Sequence, residues 1–489
     1  MKQEQLGTKI TSGLIWTYLE RVLAQGVSTI VTIILARLLL PEDYGVVSIV
    51  TIFITICDTL VVGGFSDTLI QKPNADDLDF STLFWFVLGF SAVMYGIVYS
   101  IAPLIEAFFR TALVAAALRV MGIRIPINAI KSIQSAYISK HMKYRYFFYA
   151  TLFGTIISAV VGIAMAYLGF GVWALVAQYL TNSIIDTLVI WFTCGWHPHI
   201  EFSFSRLKVL YSFGWKMQMS SLLATFYTEL ESFCIGRKYS STDLAFYEKG
   251  RQFPKLIMHN VQTSVSKVML PAFSLIQTET ERTKALAKRS IRTSSYVMFP
   301  LLVGLMLCAD EFVRVVLTEK WMPSVPFLQL LSVYYVFEPI MSVNKQIVIA
   351  SGNSKKYLQM EIEKKTIGIL LLITALAFSD KVIMVAMAVV TTQIISLFIQ
   401  SQPLKKLINY PINEQIYDVM PPLLLCAIMA APIIIIKFFT MNSWLKLLIE
   451  VIIGATVYIV LSIITKNKEF QTLISFVKKV LHKGKNTNE

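Results

Sequence analysis

Charge is scarce in this chain. Of its 489 residues 15% are Asp, Glu, Lys or Arg while 55% are hydrophobic, and the mean hydropathy is +0.63. That balance excludes a soluble globular domain and places the chain among polytopic membrane proteins. Cysteine is also sparse. Cys57, Cys194, Cys234, Cys308 and Cys426 stand singly, which suggests neither a disulfide framework nor a zinc site. Acidic residues number 30 against 44 basic ones, a formal charge of +14. The basic residues lie in short segments between apolar runs rather than on one soluble face, which argues against nucleic acid as a partner and for positive-inside topology. No signal peptide is expected: the first apolar stretch, about 13–40, is longer than a signal h-region and has no small-residue cleavage site.

What is present is a series of apolar runs near the ~20 residues needed to cross hydrocarbon. About fourteen spans are expected, near 12–38, 44–64, 81–103, 113–137, 147–168, 171–193, 209–235, 244–272, 292–318, 324–350, 362–379, 381–402, 419–439 and 444–465. The fold expected is therefore an all-α polytopic membrane protein. Loop charges test the count, because cytoplasmic loops carry the excess of Lys and Arg. Lys140, Lys143 and Arg145, then Arg206 and Lys208, then Arg282, Lys284, Lys288, Arg289 and Arg292 all fall on one side, together with both tails. Both termini are expected in the cytoplasm. After the last span, Phe470, Leu473, Ile474, Val477 and Leu481 recur at helical spacing beside lysines, as in a helix on an anionic leaflet; a solvated tail fits equally well.

Ten cations sit inside expected spans: Arg21, Arg119, Arg124, Lys131, Lys216, Lys249, Arg251, Lys255, Lys267 and Lys345. Each costs roughly 2.5–3.5 kcal/mol at a helix centre facing lipid, so they are expected to face a polar interior, which implies an anionic cargo. Lys216 and Lys267, near span ends, also fit snorkelling to the interface.

The chain resembles itself at an offset of about 200 residues. Ala36-Arg37 with Asp43 recurs as Gly236-Arg237 with Asp243, and Pro126 and Gln134 in the fourth span recur as Pro339 and Gln346 in the tenth. An even number of spans separates the equivalents, so the repeat is parallel. The expected domains are a six-span lobe over 1–200, a second over 201–410, two extra helices over 411–465 and a basic tail over 466–489. A two-lobed transporter of this kind holds its substrate between the lobes.

Helical spacing aligns the polar residues. Span 8 aligns Glu248, Arg251, Lys255, His259 and Gln262, span 1 aligns Thr17, Arg21 and Gln25, and span 4 aligns Arg124, Asn128 and Lys131. Span 2 gives Ser48, Thr51, Thr55 and Asp58, and span 10 gives Glu338, Ser342 and Lys345. Buried ion pairs such as Glu248 with Arg251 are the structural alternative. The cation surplus favours an anion such as pyrophosphate, with Arg21, Arg124, Lys131, Arg251, Lys255 and Lys345 as ligands. Asp58, Asp186, Glu229, Glu231 and Glu338 are the carboxylates available for proton or sodium coupling. Glycines and prolines at Pro126, Gly154, Gly162, Pro254, Pro271 and Pro339 allow helices to bend.

Ala36–Gly45 (ARLLLPEDYG), Gly64–Gln71 (GFSDTLIQ), Val268–Gln277 (VMLPAFSLIQ) and Glu319-Lys-Trp321 with Pro323 resemble, in order and end to end, the polysaccharide-repeat flippases of the multidrug, oligosaccharidyl-lipid and polysaccharide exporter superfamily, in particular the colanic-acid-exporter branch. Thr318 stands where a glycine is usual. The resemblance implies two six-helix lobes with two extra C-terminal helices, and movement of undecaprenyl-pyrophosphate-linked oligosaccharide to the outer leaflet. No cofactor is expected. Its partners would be the lipid-linked substrate, membrane lipids and the polysaccharide polymerase machinery. In the related peptidoglycan-precursor flippase, arginines of the first and eighth helices and an aspartate after the first are functional; Arg21, by helix and depth, and Arg251 and Asp43 match them, which places Asp43 with Asp58, Glu231 and Glu338 as coupling or gating residues.

Two other classes compete. A drug or organic-cation exporter of the same fold needs an acidic, aromatic cavity, whereas these helices are net basic. A glycan polymerase or glycosyltransferase needs carboxylate or histidine clusters on a sizeable loop. The one suggestive group, Cys194, His197 and His199, has no fourth ligand nearby and is expected to hold no metal.

Overall fold

The computed structural model describes residues 25–276, 279–472 and 474–475. Every regular element among them is helical, and the chain divides into two compact units, one ending at Ala245 and the other beginning at Phe246.

The first unit contains α1 (Gln25–Leu38), α2 (Pro41–Val62), α3 (Phe65–Gln71), α4 (Asp77–Phe109), α5 (Val114–Met121), α6 (Arg124–Lys140), α7 (Arg145–Tyr167), α8 (Val172–Thr193) and α9 (Phe204–Lys238). The helix α9, expected to open the second lobe, packs on α2, α3 and α4. The next helix, α10 (Ser241–Leu275), carries the unit boundary near its start. The second unit continues with α11 (Thr280–Leu307), α12 (Ala309–Phe312), a π-turn over Val313–Leu317, a 3-10 turn over Glu319–Ser324, and α13 (Val325–Val336). It ends with α14 (Glu338–Ala350), α15 (Ser354–Phe378), α16 (Ile383–Ile408), α17 (Ile412–Lys437) and α18 (Ser443–Ile464).

Nine helical segments among the described residues are long and apolar enough to cross a membrane. The other expected spans fall on α1, on α5 with α6, and on α9, α10 and α15. Four of these, the first, fourth, seventh and eighth spans, carry polar stripes in the sequence, whereas α15, on the eleventh span, carries its charges at its N-terminal end, and the polar second and tenth spans meet the apolar criterion. The expected surface helix beyond Phe470 lies mostly outside the described residues.

Local chemistry explains several boundaries. Pro41 opens α2, where its missing N–H costs nothing, and Asp43 accepts the Leu40 N–H at 2.9 Å. The repeat partner behaves alike: Asp243, third in α10, donates its N–H to Ser240 Oγ at 3.0 Å, and its carboxylate accepts from the same hydroxyl at 2.7 Å. Both aspartates thus hold the residue that precedes their helix, Asp43 through the Leu40 N–H and Asp243 through the Ser240 hydroxyl. The α4 start is a reciprocal cap between Asp76 and Asp79. Asp79 is fully buried and also binds Lys72 at 2.5 Å and Arg206 at 3.2 Å. Lys140 Nζ reaches the Leu69 carbonyl at 3.0 Å and also that of Lys72, closing the C-terminal end of α3. Burial holds its ammonium below the usual lysine pKa.

The fourth and tenth spans are both interrupted. Pro126 has no N–H for the Gly122 carbonyl, which accepts instead from Ile125 at 2.9 Å; the helix tightens and breaks between α5 and α6. The equivalent interruption, between α13 and α14 at Phe337, lies two residues before Pro339. The helices α7 and α8 form an intimate pair. The buried face of α7 reads Ala150, Gly154, Ser158, Gly162, Ala166, a small residue at every fourth position. In the second unit, α11 packs on α13, α14 and α17 around Phe299, Ile347 and Met429, and is tied to α18 by Tyr296 Oη to Ser462 Oγ at 2.6 Å and Tyr458 Oη to the Tyr296 carbonyl at 2.9 Å.

Candidate functional site

The break in the fourth span sets the first unit's polar cluster. Arg124 is the first residue of α6, and Asn128 and Lys131 follow at helical spacing on one face. A cation at a helix N-terminus opposes the helix dipole and needs other support. Arg124 Nε donates to Ser183 Oγ on α8 at 2.9 Å, and its guanidinium lies over the Tyr179 ring at 5.4 Å. Asn128 Nδ2 donates to Asp58 Oδ2 on α2 at 2.9 Å. Lys131 Nζ pairs with Asp186 Oδ2 on α8 at 3.3 Å, with side chains 26% and 17% exposed.

Three helices therefore bring two cations and two carboxylates together. Asp58 Oδ1 and Asp186 Oδ1 are buried and accept no hydrogen bond. The cluster is balanced in formal charge, yet each carboxylate keeps an unfilled acceptor site for an added cation or proton, and each cation is bonded by single rather than bidentate contacts. Gly154 makes room for it. A Cβ there would overlap Asp186 Oδ1 and lie 3.1 Å from its Cγ, so the glycine read as a bend point is a notch for the carboxylate.

In the second unit the Glu248–Arg251 pair forms, Arg251 Nη2 donating to both carboxylate oxygens at 2.7 and 2.9 Å. Arg251 also lies over the Tyr247 ring at 5.5 Å, and Lys255 is exposed one turn further on. Lys345 Nζ sits 5.3 Å from the Tyr357 ring, and Glu338 Oε2 accepts from Gln393 at 2.9 Å. Lys249, by contrast, is buried over Trp321, its Nζ bonded to Gln252 Oε1 at 3.2 Å. Arg21 lies outside the described residues, as does the Lys267 side chain. Glu231 is half-buried on α9, and Asp43 is occupied in the α2 cap. Cys194 is buried, its thiol pointing to the Gln134 carbonyl at 3.8 Å, and the His199 N–H is bonded to Ser81.

Sequence reasoning grouped Arg124, Asn128 and Lys131 but not the Lys131–Asp186 pair, because residues on different helices share no local spacing. It also passed over Glu450, which is completely buried in α18, the last and among the most apolar of the spans.

Interrupted fourth and tenth spans, polar faces on otherwise apolar helices and two compact units define a multi-pass membrane protein with a transporter fold. The same fold is seen in the lipid II flippase MurJ in an inward closed conformation, at a TM-score of 0.76 and 17% identity over 95% of this chain and 100% of that one. An inward-facing multidrug resistance transporter of the MATE family matches at 0.58, with 13% identity over 81% and 98%. The sequence profile described as polysaccharide biosynthesis protein matches residues 34–326, and the chain belongs to that family. Among its relatives, the teichuronic acid biosynthesis protein TuaB of Bacillus subtilis (strain 168) is 23% identical over 418 residues, 81% of this chain and 83% of the relative. The lipopolysaccharide biosynthesis protein WzxC of Escherichia coli (strain K12) is 23% identical over 67% of each chain.

Proposed function

We propose that this chain is a flippase, carrying undecaprenyl-pyrophosphate-linked oligosaccharide from the cytoplasmic to the outer leaflet by alternating access, for surface polysaccharide assembly. The observation that carries it is the row Arg124, Asn128 and Lys131 opening the broken fourth span, held by exchangeable single contacts. A diphosphate offers these donors a stronger, doubly charged acceptor. On this proposal it takes Lys131 from Asp186, and the released carboxylate accepts the coupling proton or cation.

Family membership and the names of relatives support the cargo: TuaB and WzxC are biosynthesis proteins of teichuronic acid and lipopolysaccharide, and the flippase of known structure acts on lipid II. Arg21, Arg251, Lys255 and Lys345 are proposed as further ligands of the anion, and Asp43, Asp58, Glu231 and Glu338 as coupling or gating groups. Both termini are proposed to be cytoplasmic, and the chain is proposed to have no catalytic activity.

In a strain lacking the chain, variants Arg124→Ala and Lys131→Ala should restore little surface polymer and leave lipid-linked repeat units accumulated inside. Arg124→Lys should rescue only in part, since lysine lacks the planar fork. Full export by both alanine variants would overturn the anion assignment. Membranes holding only this protein should transfer no sugar; transfer would favour an enzyme.

A further inference from the structure

A half-enclosed cavity of about 450 Å³ lies in the second unit among α10, α11, α17 and α18. Its volume falls in the roughly 300–1,000 Å³ range of small-molecule sites. The walls are aliphatic and aromatic, from residues such as Ile257, Leu301, Leu305, Phe312, Ile433 and Val451. One side chain breaks that pattern: Glu450 lines the cavity, is 0% exposed, and neither of its carboxyl oxygens has an N–H or O–H partner, the Cys308 thiol alone bearing on it. An orphaned carboxyl in an apolar membrane-spanning helix is costly, and such groups are kept where something completes them.

The neighbouring charges do not complete it. Lys446, one turn earlier on α18, pairs with Glu311 at 3.1 Å and donates to the Lys437 carbonyl at 3.1 Å, while Lys437 pairs with Asp310 at 3.2 Å. Three carboxylates, Asp310, Glu311 and Glu450, thus face two ammonium groups, and Glu311 keeps one buried oxygen without a partner. The Cys308 thiol on the cavity wall is too weak a donor to replace a cation.

We propose that this cavity is a binding site for a lipophilic monoamine, its ammonium held by Glu450 and its hydrocarbon body by the apolar walls. Charge complementarity selects the occupant: an apolar chain alone would leave the carboxyl unpaired, and an anionic amphiphile would meet the surplus acid. The site rests on none of the groups assigned to the flipped head group.

The test is calorimetric titration of the full chain in phosphatidylcholine nanodiscs with dodecylamine and with dodecanol, which match in chain length and differ in head charge. Empty nanodiscs supply the background. Dodecylamine should bind the protein at least about tenfold more tightly than dodecanol, the scale of one charge-assisted hydrogen bond. Glu450→Gln should abolish that preference while keeping dodecanol binding, and Ala455→Phe, which fills the cavity and retains the carboxyl, should abolish binding of both. Equal affinity for amine and alcohol in the unaltered protein would overturn the proposal whatever the variants do, and so would an amine preference that survives Glu450→Gln. Export of lipid-linked glycan is a separate readout, so failure here leaves the flippase proposal standing.

Discussion

Gly154→Ala tests whether the notch in α7 positions the Lys131–Asp186 pair. The added methyl would overlap Asp186 Oδ1, 3.1 Å from Cγ and 3.3 Å from Asn182 Nδ2, so the carboxylate must rotate away and draw Oδ2 from Lys131. Overpacking costs about 1–3 kcal/mol. Separating the ion pair adds less than the roughly 3–5 kcal/mol of a fully buried one, because Lys131 is 26% exposed and can be rehydrated. A total loss of about 2–4 kcal/mol is expected in unfolding free energy, measured by denaturation in mixed micelles. The cause is isolated by a double-mutant cycle with Asp186→Ala. Once that side chain is removed the methyl has room, so the second substitution should cost little and the coupling should reach about 1–3 kcal/mol. Additive losses would refute the notch as the positioning element.

Asp79→Asn should destabilise by about 2–4 kcal/mol in the same assay, because the amide cannot replace a fully buried carboxylate that binds Lys72 and Arg206; a loss under 1 kcal/mol would show that the network is dispensable. Asp76 is held below the usual carboxylate range, chiefly by the Asp79 backbone N–H and then by the Asp79 side chain, Arg206 and Lys72, against the opposing effect of burial. A depressed folded pKa gives stability that is full above the unfolded value of about 3.9 and is lost as pH falls toward the folded one. Melting temperature should therefore drop below about pH 4, and Asp76→Asn, which keeps a capping side chain, should flatten that limb. Pro126→Ala restores an N–H to the Gly122 carbonyl and should raise unfolding free energy by about 1 kcal/mol or more while lowering export; unchanged export would separate the break from transport.

The sequence made the helices and the grouped faces legible because both depend on local period. Arg124, Asn128 and Lys131 were readable as one row, and Asp43 and Asp243 as repeat partners. Their partners were not readable: Asp186 comes from another helix, and only packing shows that it takes Lys131. Gly154 carries the same small-residue signal whether a helix bends or a neighbour approaches. Asp43 matched a flippase aspartate by position, yet its visible work is to close a helix end. Glu450 has no patterned neighbours, so nothing in its span distinguished a cavity acid from a stray one.

The small-residue face of α7 also fixes how that helix can travel. Sliding α7 along α8 by one turn, about 5.4 Å, would bring Ala150 or Ser158 opposite Asp186 in place of Gly154, and either side chain would strike the carboxylate. Gly162, whose Cβ would come 2.9 Å from that of Gln178, imposes the same interlock two turns away. The two helices are keyed like a bolt in a slotted housing, which opposes a one-turn slide and favours their moving as one piece in any rearrangement that accompanies cargo movement.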